Sequence, residues 1–140
     1  MDRSPNEESL HRQLILQAAA WHKARGCKDI TIDLPGYTKP AIIEGVKGSY
    51  RPDLTCIQPG SPPALILLEA ETCRSIFHRH TLNQWTLFAD YARKTSAEFH
   101  IVVPPTCDVD GRVEAGSELV LRRLRQIDLS PSTVSIWTPL

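Results

Sequence analysis

Five consecutive apolar residues, Ala64-Leu65-Ile66-Leu67-Leu68, run directly into Glu69-Ala70-Glu71, and no other stretch limits the fold so tightly. An apolar run of this length, preceded by the turn-forming Gln58-Pro59-Gly60-Ser61-Pro62-Pro63, reads as a central strand buried on both faces. A strand of that kind needs packed layers above and below it, which places the chain among α/β proteins. Successive strand side chains alternate in direction, so Glu69 and Glu71 project together while Ile66, Leu68 and Ala70 enter the opposite face. Two neighbouring carboxylates on a buried strand are costly without a partner, and a cation is the simplest one.

The flanking sequence supplies the rest of the layers. Ser4, Pro5 and Glu7 form a capping-box pattern, and Leu10, Leu14, Ala18 and Trp21 recur at helical spacing until Gly26 ends the helix. The same Glu7 and its neighbour Glu8 are acids that a site could use, with capping the reading favoured by the pattern. Residues 29–34 alternate polar and apolar, as a half-exposed strand does, and 41–44 is a second short strand. A loop over 45–50 then leads into Arg51-Pro52-Asp53 and a strand over 54–57. After the acidic strand a helix is expected over 75–94, with Phe77, Thr81, Gln84, Phe88 and Tyr91 on one stripe. A strand over 98–103, a polar loop at 108–112, a helix over 114–126 and a last strand over 134–137 complete the order α-β-β-β-β-α-β-α-β. The helix between two strands predicts a right-handed parallel crossover, and the short links before it predict antiparallel pairing. The register of that antiparallel pair decides whether Asp53 meets Glu69.

Asp53, Glu69 and Glu71 are hard oxygen donors of the type that suits magnesium or manganese. Pro52-Asp53 followed by Glu69-Ala70-Glu71 resembles the PD-(D/E)XK nuclease superfamily, with an acid-x-acid step where most members carry acid-x-lysine. The resemblance implies a single restriction-endonuclease-like domain over residues 1–140, with a central mixed sheet flanked by helices. It also implies a magnesium- or manganese-dependent nuclease that hydrolyses DNA phosphodiester bonds, in which the ion polarises the phosphate and activates water. Asp53, Glu69 and the main-chain carbonyl of Ala70 would be the metal ligands by that resemblance, and Glu71 a further ligand or the base that orients the water. Gln84, ahead of Phe88 and Tyr91, is similar to the helix motif of recombination-type nucleases and would join the catalytic set. Lys47 or Arg51 would stand in for the missing lysine, and Lys47, Arg51, Arg74 and Arg79 would contact nucleic acid. A homodimer fits the superfamily as well. The alternative is a catalytically inactive relative of the same fold that binds nucleic acid or protein.

The charge balance bears on that alternative. Sixteen basic and sixteen acidic residues give zero formal charge, whereas binding through phosphates usually comes with a basic excess. Hydrophobic residues at 41% and charged residues at 23% belong to an ordinary globular chain and argue against extended disorder. Cys27, Cys56, Cys73 and Cys107 are widely spread with no Cys-x-x-Cys step, so the expectation is reduced thiols in a cytoplasmic protein without a signal core or membrane span. Cys73, His78 and His80 fall short of a four-ligand zinc set. The two histidines, two positions apart on a helix, do not face each other. Arg122, Arg123 and Arg125 form the densest basic run and complement a helix end.

Overall fold

The computed structural model describes residues 4–139. Helix α1 (Pro5–Ala24) begins at Ser4, whose hydroxyl accepts from the Glu7 N–H at 3.2 Å. The serine half of the capping box therefore forms, but the Glu7 carboxylate turns away and accepts from the Thr72 hydroxyl at 2.6 Å. Gly26, at φ +81°, closes the other end. Its N–H donates to Lys23 and the Cys27 N–H donates back to His22, at 3.0 and 3.1 Å, the paired bonds of a Schellman motif. The buried stripe is His11, Leu14, Ile15, Ala18 and His22, whereas Leu10 and Trp21 are exposed. This face is rotated from the expected one because packing against the sheet, not apolar content alone, chooses which side of the helix is covered.

The chain continues through β1 (Lys28–Ile32), β2 (Ile43–Gly45), β3 (Gly48–Tyr50), β4 (Leu54–Gln58) and β5 (Ala64–Ala70). Helix α2 (Arg79–Thr95), β6 (Glu98–Val102), β7 (Thr106–Val109), β8 (Arg112–Ala115), α3 (Gly116–Gln126), a 3-10 turn (Pro131–Thr133) and β9 (Val134–Trp137) follow. The main sheet has the order β1-β4-β5-β6-β9. Its first three strands are antiparallel and its last three parallel, with β5 at the change of direction. The architecture is thus mixed α/β with a five-stranded mixed sheet.

Helices cover both faces. On one, Leu14, Ile15 and Ala18 of α1 pack on Leu54, Cys56, Ile66, Leu68 and Ala70. On the other, Trp85, Phe88 and Ala92 of α2 and Leu119, Val120 and Leu124 of α3 pack on Leu67, Phe99 and Ile101. β5 therefore buries alternate residues in two different cores, as its apolar run requires.

Several boundaries differ from the sequence reading. Residues 45–50 are not a loop but most of the hairpin β2-β3, turning at Val46-Lys47. The loop expected at 108–112 is likewise hairpin β7-β8, which turns at Asp110-Gly111 with φ of +51° and +83°. The long helix starts four residues late, because a turn anchored on Ser75 occupies the chain before His78. Phe77 is consequently exposed, and the covered stripe of α2 is Thr81, Trp85, Phe88, Ala89 and Ala92. α3 begins at Gly116, where an added Cβ would strike the Pro104 carbonyl. The expectation of four reduced thiols fails for one pair, since Cys73 and Cys107 form a disulfide. They lie far apart in sequence, which hid the pairing, and the bond removes Cys73 as a ligand beside His78 and His80. No described helix is long and apolar enough to cross a membrane.

Candidate metal centre and active site

The register left open by the sequence brings the acids together. Leu54 pairs with Leu68 across the antiparallel β4-β5 ladder, so Asp53 falls opposite Glu69. The pair is locked reciprocally: the Asp53 N–H donates to Glu69 Oε2 at 2.9 Å, and the Ala70 N–H donates to Asp53 Oδ2 at 2.8 Å. Pro52, buried before the strand, restricts the backbone at this entry. Glu71 follows Ala70 and is held from the α2 side, accepting from Ser75 Oγ at 2.6 Å and from Trp85 Nε1 at 2.9 Å. All three acids line one cavity of about 250 Å³, together with Ala70, Arg51 and Gln84.

One further member of the cluster was not visible in the sequence. His11 of α1 places Nε2 3.2 Å from Asp53 Oδ2, and both side chains are largely buried. Its signal is weak, because a lone histidine next to the apolar Leu10 and Leu14 reads as solvent-facing until the rotation of the helix is known. Glu8 lines the same cavity from the first turn of α1, and Glu7 lines the adjoining one.

The electrostatics follow from burial. Glu69 and Glu71 are each only 3% exposed. Burial, then the charges of Asp53 and Glu71, raise the Glu69 carboxyl well above the usual carboxylate range. Burial also pushes Glu71 up to about 7, although its bonds from Ser75 and Trp85 pull the other way. Burial would raise Asp53 too, but the hydrogen bond and charge of His11, together with the hydrogen bonds from Glu69 and the Ala70 N–H, hold it below its ordinary value. Without a cation the cluster therefore holds a proton on Glu69 more tightly than an exposed carboxylate would. A divalent ion would replace that proton, because it supplies the positive charge the buried carboxylates lack. Asp53, Glu69 and Glu71 bring hard oxygen donors of the type a magnesium-like ion takes to one small polar cavity, but these spread more widely than the 4.8 Å that encloses the donors of one compact site.

The basic candidates divide. Arg51 lines the acidic cavity, with its Nε donating to the Pro40 carbonyl at 3.0 Å and its guanidinium 3.9 Å from Asp33. Arg74 lines a neighbouring cavity of about 430 Å³ with His78 and His80, and Glu71 and Gln84 form the partition shared by the two. Lys47 is not brought to the acids. It lies at the β2-β3 turn and lines a larger cavity of about 680 Å³ against the outer side of α2. Arg79 is exposed at the first position of α2. Comparison with family models, curated proteins and solved structures finds no significant match to this chain.

Proposed function

We propose that the chain is a magnesium- or manganese-dependent phosphodiesterase acting on DNA, built as a restriction-endonuclease-like domain. The observation that carries this reading is the reciprocal lock of Asp53 and Glu69 across β4 and β5, which sets two buried carboxylates side by side with Glu71. Asp53 and Glu69 would hold the ion, with the Ala70 carbonyl beside them. When bound, the ion supplies Lewis acidity to the phosphate and acidity to a water molecule. His11 fixes the orientation of Asp53 and keeps it ionised. Glu71, with its carboxyl raised to about 7, has the proton affinity a general base needs near neutrality. Ser75 and Trp85 hold it in place for that role. Gln84 borders both cavities and can donate to a phosphate oxygen, and Arg51 and Arg74 provide positive charge on either side.

A second reading, a nuclease-fold module that binds nucleic acid or protein without cleaving, is favoured by one observation. Both oxygens of Glu71 already accept from Ser75 and Trp85, and no lysine lines the acidic cavity among the described residues. Cleavage of plasmid and single-stranded DNA with manganese, compared between the parent, Asp53→Ala and Glu69→Ala, separates the two. The enzyme reading expects manganese-dependent cleavage that falls by more than about 100-fold in both variants, beyond the loss typical of outer-shell changes. Absence of cleavage in the parent, with manganese binding intact by calorimetry, supports the module. Cleavage unchanged in both variants refutes this site.

A further inference from the structure

A second cluster of metal-binding side chains lies on the α1 face of the sheet, separate from the acids. His22, Cys27 and Cys56 present one ligand atom each, all within 4.8 Å of one another and all buried. The local fold explains why they meet. The Schellman turn after α1 folds Cys27 back on His22, so that its N–H bonds the His22 carbonyl at 3.1 Å and its Sγ lies 3.7 Å from His22 Nδ1. Cys56 enters from β4, on the face that packs against α1. Both cysteines are free thiols, although the chain's other two cysteines are bridged.

We propose that His22, Cys27 and Cys56 form a binding site for a thiophilic divalent ion, with zinc the best fit, that ties the end of α1 to β4. Thiolate and imidazole donors select such ions over magnesium. The geometry is close to that required. Zinc bonds of about 2.0 Å to nitrogen and about 2.3 Å to sulfur, at tetrahedral angles, set neighbouring N and S atoms about 3.5 Å apart. The observed 3.7 Å between His22 Nδ1 and Cys27 Sγ, a hydrogen bond in the metal-free protein, lies within about 0.2 Å of that edge. His22 Nε2 is buried with no hydrogen-bond partner, so the ring's hydrogen-bonding capacity is used at Nδ1, beside the sulfurs. If Nε2 carries the ring proton, the Nδ1 lone pair faces the two sulfurs, the direction an ion would take. Binding displaces the two thiol protons, and the two thiolates then balance the charge of a divalent ion, so the loaded cluster adds no net charge to the buried site. A small exogenous ligand completes the fourth position, as in zinc sites with three protein donors.

The ion would join the two elements that position the acids' partner, since α1 also carries His11 and β4 follows directly from Asp53. The site is nonetheless independent of the phosphodiesterase reading, and its test is spectroscopic. The full chain is titrated with cobalt under anaerobic conditions without reductant, which leaves the Cys73–Cys107 bond intact. One equivalent is expected to give a thiolate-to-cobalt charge-transfer band, release two protons and be displaced by zinc. The band is expected to vanish in Cys27→Ser and Cys56→Ser and to persist in Glu69→Gln. No band in the parent, a band retained in both cysteine variants, or its loss in Glu69→Gln overturns the proposal, as does a Cys27–Cys56 disulfide found by mass spectrometry. If the serine variants fail to fold, zinc-edge X-ray absorption on the loaded parent decides. Two sulfurs and one nitrogen sustain the site, and a shell of oxygens alone refutes it.

Discussion

Replacing Glu71 by glutamine tests the electrostatic account of the acidic site without touching its shape. Glu71 is raised from 4.5 to about 7 by burial, so the folded protein holds this proton where the unfolded chain has lost it. Over that window the native state binds more protons, and stability falls as the pH rises. At 1.36 kcal/mol per pKa unit, the parent loses roughly 2–3 kcal/mol from this group between about pH 5 and about pH 8. For a domain of this size that corresponds to a melting temperature lower by roughly 10 °C. In Glu71→Gln the amide is neutral at every pH; its oxygen still accepts from Trp85 and its NH2 group faces Ser75. Thermal unfolding in chelator should therefore show a profile flatter than the parent's by that amount, and manganese should restore the parent at the alkaline end. Glu69 is raised in the same direction, partly by the charge of Glu71, so the difference reports Glu71 together with its coupling to Glu69. A variant profile as steep as the parent's would refute the claim that burial of Glu71 governs the site.

Other perturbations have expected outcomes of their own. His11→Ala removes the group that keeps Asp53 ionised and should weaken manganese binding by about 10- to 100-fold in calorimetry, the range seen for outer-shell partners. His22 has the opposite pH sign to Glu71: burial, then the charges of His100 and Arg25, lower it from 6.5 to about 4, so it opposes folding as the pH falls through that range. His22→Gln should flatten the acid limb of the metal-free protein by up to about 3 kcal/mol, read by denaturant melts at a series of pH values. Reducing the Cys73–Cys107 bond, which closes a separation of 34 residues, should lower stability by about 3–4 kcal/mol in the same melts. Leu68→Ala, at a site with no exposure, should cost about 3 kcal/mol by opening a cavity beneath α1.

The acidic strand of the site was legible because its determinants are local. The Ala64–Ala70 strand carries its own burial pattern, whereas the register that sets Asp53 opposite Glu69 is decided by the β4-β5 pairing and not by the sequence alone. His11 was not legible, since its place depends on how α1 is rotated on the sheet; Leu14 and Ala18 of the expected stripe are buried, but its edge runs through His11 and His22 rather than Leu10 and Trp21. The hairpins were missed for a different reason. Strands of three or four residues are too short to display alternation, although Asp110-Gly111 is the dipeptide that favours a tight hairpin turn and did mark one of them. Lys47 was placed near the acids by sequence proximity to Asp53, but its hairpin folds out against α2. Cys27 and His22 were separable only as neighbours until the Schellman turn joined them.

α1 carries His11 and His22 about three helical turns apart, and therefore on nearly the same side of the rod. His11 bonds Asp53 just before β4, and His22 contacts Cys27 and lies within 4.8 Å of the Cys56 thiol on β4. Loss of α1 would thus unseat both imidazoles in a single step, and Trp21, stacked on Trp137 of β9, ties the same helix to the opposite edge strand of the sheet.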